Sequence, residues 1–155
     1  MTNPSMAIAG GTRVAGRSDS VAQHREDWRV ARAVHADLVL MGMPRVNLLL
    51  TGSDGVISNV LDTLLPDLDE PIARWSAGER LVLAAGTRPR TLILRNVGAL
   101  SSDDQLRLTE WLDRAPGRTR VISTMTAPLW PRVETGIFIE PLYYRLNTVS
   151  VDVTA

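Results

Sequence analysis

Apolar residues in this chain fall into two kinds of stretch, short unbroken runs and longer segments with helical spacing. Val46-Asn-Leu-Leu-Leu-Thr51 and Thr91-Leu-Ile-Leu94 are apolar along most of their length and bounded by breakers, the pattern of strands buried on both faces of a parallel sheet. Thr119-Arg-Val-Ile-Ser-Thr124 and Thr148 to Val153 read the same way, and Pro71-Ile-Ala-Arg-Trp75 and Arg80-Leu-Val-Leu-Ala84 are two shorter candidates. A first helix is predicted from near Ser20, where Ser20-Val-Ala-Gln23 fits a capping box. Val21, Trp28, Ala31, Val34, His35 and Leu38 follow at helical spacing, and Pro44 closes the segment by about Gly42. After the turn Gly52-Ser-Asp-Gly55, a second helix is predicted from about Ser58 to Leu65, stopped by Pro66. Ser102-Asp-Asp-Gln105 reads as another capping box opening a helix to about Arg114, with Leu106, Trp111 and Leu112 on one side and Pro116-Gly117 ending it. Gly86-Thr-Arg-Pro-Arg90 is a loop, and Glu140 to Leu146 a short helical turn. Strands alternating with helices predict an α/β sandwich around a mostly parallel sheet.

Length and composition narrow this picture. The 155 residues suit one domain, residues 16–155, behind a small, polar, Gly-rich arm at 1–15. Formal net charge is zero, which supplies no electrostatic argument for nucleic acid or an anionic membrane. Cysteine is absent, so disulfides and thiolate metal sites are excluded. No apolar run reaches transmembrane length and the N-terminus lacks a signal-peptide pattern, so a cytoplasmic protein is expected. All 17 basic residues are arginine. No side chain here can therefore act as the compact ammonium that a phosphate loop places between the outer phosphates.

Candidate chemistry is sparse. His24 and His35 have no acidic or sulfur partner at metal spacing, so no metal site is expected. Ser58, Ser101 and Ser102 suit helix caps, there being no nucleophile elbow. Asp103 and Asp104 read as first-turn acids that complement a helix dipole, against an acid–base pair. Arg95 and Asn96 end a buried strand, where α/β proteins bind ligands; an anion contact and a solvent-facing pair both fit. Tyr143 and Tyr144 suit local packing, and Trp75 and Trp130 stand in candidate loops, where exposure would make them partner contacts.

Five segments stand in order along the chain, residues 16–18, 47–55, 86 with 91–100, 120–126 and 136–147, and together they resemble the AAA+ ATPase domain of the sigma-54-dependent transcription activators. Gly16-Arg-Ser18 is similar to the Gly-x-Ser before that family's first helix, and Asn47-Leu-Leu-Leu-Thr-Gly-Ser-Asp-Gly55 to its first strand and the start of its phosphate loop. Gly86, followed by Thr91-Leu-Ile-Leu-Arg-Asn-Val-Gly-Ala-Leu100, resembles its Walker B strand. Arg120-Val-Ile-Ser-Thr-Met-Thr126 resembles its sensor strand, and Gly136-Ile-Phe-Ile-Glu-Pro-Leu-Tyr-Tyr-Arg-Leu-Asn147 its Gly-x-Phe-Arg-x-Asp-Leu-Tyr-Tyr-Arg-Leu-Asn segment. The resemblance implies a P-loop NTPase-like three-layer sandwich with a mostly parallel five-stranded sheet, and a phosphate loop over Gly52, Ser53, Asp54, Gly55, Val56, Ile57, Ser58 and Asn59.

The matched positions keep the apolar framework and change the charges. The third loop glycine is Ile57, whose branched side chain disfavours positive φ, and the lysine is Ser58. The Walker B acids, which should hold magnesium, are Arg95 and Asn96; the sensor asparagine is Thr126; an interface arginine is Ile139 and an aspartate Pro141. The stretch from Trp75 to Thr91 is too short for the family's sigma-54-contacting insertion, and Ala155 comes before the family's helical lid and its DNA-binding helix-turn-helix. The expectation is thus a reduced domain without a lid, with no catalytic residues, no ATPase activity, no required cofactor and no direct DNA contact. It would act as a protein-interaction module in bacterial transcription regulation, its partner a regulatory protein or itself. Two alternatives stay open: a non-hydrolysing ATP or ADP sensor using residues 52–59 with Arg95 and Asn96, and an ATPase completed by a partner.

Overall fold

The computed structural model describes residues 46–153 and, before them, positions 21–23, 25–26, 28–30, 32–34 and 36. The expected arm, His24, His35 and the capping serine Ser20 lie outside the described residues. Helix α1 is helical at its described positions between 21 and 36. Its contact with the body is carried by Val30 and Val34. Val21 and Trp28, expected on that face, are exposed.

Five strands form one sheet: β1 (Leu48–Thr51), β2 (Ile72–Ser76), β3 (Thr91–Arg95), β4 (Arg120–Met125) and β5 (Val149–Asp152), in the order β2-β3-β4-β1-β5. Every neighbouring pair is parallel. Because side chains alternate across a strand, a fully apolar strand feeds two cores. Leu48, Leu50, Ile93 and Ile122 join Val56, Val60 and Leu64 of helix α2 (Asp54–Leu64) on one face. Leu49, Leu92, Leu94 and Val121 join Leu108, Trp111 and Leu112 of α3 (Ser102–Arg114) on the other, with Phe138, Leu142 and Leu146 from the tail. Two short helices complete that second layer, α4 (Trp130–Glu134) and α5 (Glu140–Leu146). The expected α/β sandwich with a five-stranded parallel sheet is what the chain forms.

Three local expectations are corrected. Residues 80–84 do not pair as a strand. They keep strand-like alternation, with Leu81 buried at 1% exposure and Val82 exposed at 75%, but run against α3 instead of a strand. The indole of Trp111 donates to the Ala84 carbonyl (2.8 Å). The cap of α3 is Ser101, whose Oγ accepts from the Asp104 amide (3.2 Å). Gln105 is therefore no capping-box partner but a buried amide. Its Nε2 donates to the carbonyls of Leu100 and Ile137 (3.0 Å each), and its Oε1 accepts from the Ile139 amide (2.8 Å). Leu106 is exposed, and Leu108 takes the core position expected of it. The C-terminal end of α2 is as expected: it stops at Leu64, and Pro66 lies in the first turn of a following 3₁₀ segment (Leu65–Asp67), where a missing N–H costs nothing.

Candidate functional site

The carboxyl ends of β1, β3 and β4 bring together the residues that the resemblance matches to a nucleotide site. Gly52 comes directly after β1, and its amide donates to the Met125 carbonyl at the end of β4 (3.0 Å). The chain is pinned so closely here that a Cβ at Gly52 would lie 2.5 Å from Cγ2 of Val153. This glycine is required by steric approach, not by an unusual φ.

The turn expected over Gly52–Gly55 is shorter, confined to Gly52 and Ser53. Helix α2 begins at Asp54, with Ser53 in extended conformation at its N-cap. The Ile57 amide already donates to the Ser53 carbonyl (2.9 Å). The spacing of Val56, Ile57, Val60, Leu61 and Leu64, all buried, explains the early start: one apolar face extends N-terminal to Ser58 and outweighs the helix-weakening Gly55. Val56 and Ile57 are core residues, and Ser58 and Asn59 are interior positions of the helix. Asp54 stands exposed in the first turn, where its negative charge complements the helix dipole.

Across from α2, Arg95 ends β3. Its guanidinium donates to the Ser58 hydroxyl (Nη2–Oγ 2.9 Å) and lies 4.0 Å from the Asp54 carboxylate. Thus the positions matched to the family's lysine and to its first Walker B acid are joined to each other by a hydrogen bond. Asn96 adopts a left-handed backbone (φ 56°), which asparagine tolerates better than most residues, and its amide donates to the buried Thr124 hydroxyl (3.1 Å). Asn96 is exposed, as is Thr126 at the sensor position.

The tail keeps its framework for packing reasons. Phe138, Leu142 and Leu146 are buried, Pro141 occupies the first turn of α5, and Ile139 is its N-cap. The Tyr143 hydroxyl accepts from Asn147 Nδ2 (2.9 Å), and its ring stacks at a tilt with Trp130 (5.2 Å) and edge-on with Tyr144 (5.4 Å). Trp130, Tyr144 and Ile137 are exposed, whereas Trp75 is buried in β2, not in a loop. Asp104 pairs with Arg107 (2.9 Å) at the start of α3, as a first-turn acid should. Among the described residues no group of three or more His, Asp or Glu is placed to hold a metal ion, and no helix is long and apolar enough to cross a membrane.

The arginines of the opposite sheet end were missed by sequence reasoning. Arg88, Arg90, Arg118 and Arg120 line one open groove there. The signal that would have found them is Arg-x-Arg repeated at the entry to two adjacent parallel strands, Arg88-Pro-Arg90 and Arg118-Thr-Arg120.

Comparison with known proteins places this architecture. Among solved structures, NtrX from Brucella abortus superposes with a TM-score of 0.57 at 15% identity, covering 90% of this chain and 42% of that one. The same protein in complex with ATP gives 0.54 at 21% identity, covering 97% and 39%. A chain of Drosophila ORC bound to GC-rich DNA and Cdc6 gives 0.60 at 10% identity, covering 97% and 63%. These are P-loop AAA+ proteins, and at such identities they establish the fold alone. A 59-residue stretch is 44% identical to the 23S rRNA (uracil(1939)-C(5))-methyltransferase RlmD of Vibrio cholerae, covering 36% of this chain and only 13% of that enzyme. The chain thus spans a small part of that curated relative and about two fifths of NtrX. The family profile of the sigma-54 interaction domain matches residues 32–155, nearly all of the described structure, and the chain belongs to that family.

Proposed function

We propose that this chain is a catalytically inactive member of its family, a AAA+ domain that works as a protein-interaction module in bacterial transcription regulation, in the cytoplasm. The observation that carries the proposal is the Arg95–Ser58 hydrogen bond. Magnesium-nucleotide chemistry needs a cation on the loop side and acids on the strand side. Here the strand side carries the cation, and the loop side carries a neutral hydroxyl and the Asp54 carboxylate. A guanidinium at the end of β3 repels a divalent metal, and a helix that starts at Asp54 commits the amides of residues 57–59 to its own ladder instead of a phosphate cradle. The residues present do not fit a magnesium-bound nucleotide. Electrostatic elements of this kind each supply a few kcal/mol of transition-state stabilisation in working enzymes, so their joint loss leaves turnover near the uncatalysed rate. Exposed Trp130, Ile137 and Tyr144 on the α4–α5 side support the interaction role, since exposed aromatics are favoured at protein contacts. The test is phosphate release from ATP by the purified chain: the expected rate equals the buffer blank, and sustained ATP-dependent release above it contradicts inactivity.

A second reading has one observation in its favour. Arg95 is half-exposed, so its guanidinium is accessible as an anion partner, and NtrX has been crystallised with ATP. In that reading the chain is a non-hydrolysing nucleotide sensor. It requires ATP to raise the melting temperature through Arg95, with the effect lost in Arg95→Ala.

A further inference from the structure

At the amino ends of β2, β3 and β4, on the far side of the sheet from Arg95, lies an open groove of about 640 Å³. Its walls are the loop before β3 and the loop from α3 to β4, with Asp69 beside them. Four arginines line it, Arg88, Arg90, Arg118 and Arg120, against the single carboxylate of Asp69. In a chain whose formal charge sums to zero, this is a concentrated excess of positive charge.

The groove is built, not incidental. The two Arg-x-Arg pairs lie at the entry to adjacent parallel strands, and cross-links hold their loops together. The Thr119 hydroxyl donates to the Pro89 carbonyl (2.7 Å), and the Arg120 amide to the Arg90 carbonyl (2.8 Å). Two of the four guanidinia are anchored. Arg120 Nε donates to the Val46 carbonyl (2.9 Å), and Arg88 lies over the Trp111 ring (4.3 Å) while donating to the Trp111 carbonyl. The other two guanidinia, those of Arg90 and Arg118, belong to exposed residues and make no hydrogen bond or ion pair among the described residues. Burial pushes the Arg120 guanidinium below its usual range, and the nearby Asp69 only partly opposes this. A desolvated cation is a cost that a bound anion relieves. The space beside Gly86 and Gly117 at the mouth is open, since a Cβ at either would meet nothing within 4 Å.

We propose that this groove binds a small molecule carrying a chain of two or more phosphate groups, gripped by Arg90 and Arg118 above the fixed pair Arg88 and Arg120. Planar guanidinium forks match phosphate oxygens two at a time, and four forks on one groove suit several linked phosphates better than a single carboxylate. Its volume is that of a small-molecule site, about 300–1,000 Å³. The chain's formal net charge of zero gives no electrostatic argument for the long basic surface a nucleic acid requires.

Inorganic tripolyphosphate is the direct probe, titrated by calorimetry at physiological ionic strength with a thermal shift alongside. Saturable binding is expected, weakened at least tenfold in R90A/R118A and unchanged in R95A. The free melting temperature of R90A/R118A should match that of the parent chain, because both side chains are unpaired and exposed; this separates lost binding from lost folding. Absence of saturable binding at millimolar concentration overturns the proposal. So does binding that survives R90A/R118A, which would place the anion elsewhere. Tighter binding of a single-stranded oligonucleotide through the same arginines also overturns it, because the groove would then be part of a nucleic-acid surface.

Discussion

Gln105 is the residue whose chemistry is most tightly used. Its buried amide satisfies three backbone groups, at Leu100, Ile137 and Ile139, and so ties the start of α3 to the segment entering α5. Replacing it by alanine strands two carbonyls and one amide, and each buried unsatisfied group costs about 1–3 kcal/mol. Gln105→Ala is expected to destabilise the chain by about 3 kcal/mol, read as a lower urea midpoint; a change within error would mean that water replaces the amide. Gly52 acts through space alone. Gly52→Ala drives a methyl to 2.5 Å from Val153 Cγ2, with backbone carbon at 3.3 Å behind it. Overpacking of this kind costs about 1–3 kcal/mol, again measurable by chemical unfolding. An alanine variant as stable as the parent would show that β5 yields. Neither role is visible in a sequence. Gln105 looks like a capping-box residue, and Gly52 like a phosphate-loop glycine, because a glycine's motif position and its steric role leave the same letter.

At the scale of elements, the apolar runs carry most of the fold. Leu48–Leu50, Thr91–Leu94 and Val121–Thr124 are legible as buried parallel strands because their side chains must serve two cores. Periodicity leaves the partner undefined, and segment 80–84 shows it. The alternation of Leu81, Val82 and Leu83 is that of a strand, yet what buries Leu81 is α3 and not a sheet neighbour. Leu81→Ala should therefore cost about 2–5 kcal/mol, as large-to-small core changes do, while Val82→Ser stays within about 0.5 kcal/mol, as exposed changes do. Comparable losses from both, measured by thermal unfolding, would contradict this one-sided burial. The candidate site divides similarly. Arg95 at the strand end and Ser58 at the lysine position are legible, but the bond between them depends on α2 starting at Asp54. That early start is hidden because Gly55 and the motif both argue for a turn, whereas the apolar spacing from Val56 argues for helix and wins.

At the scale of the whole molecule, the parallel sheet has two chemically distinct ends. The carboxyl end, where the family's nucleotide chemistry would lie, is closed by an internal contact between Arg95 and Ser58, with Asp54 beside it. The amino end gathers four arginines on an open groove. A polyphosphate groove and a working phosphate loop respond to magnesium with opposite sign. Magnesium neutralises a phosphate chain and weakens its attraction to guanidinium groups, whereas a working phosphate loop with strand-end acids binds nucleotide more tightly when the metal is present. An ATP titration of R90A/R118A by calorimetry, with and without magnesium, silences the groove and interrogates the carboxyl end alone. The account predicts no saturable binding that magnesium strengthens. Micromolar binding made tighter by magnesium would contradict it, because the carboxyl end would then hold a metal-bound nucleotide despite Arg95.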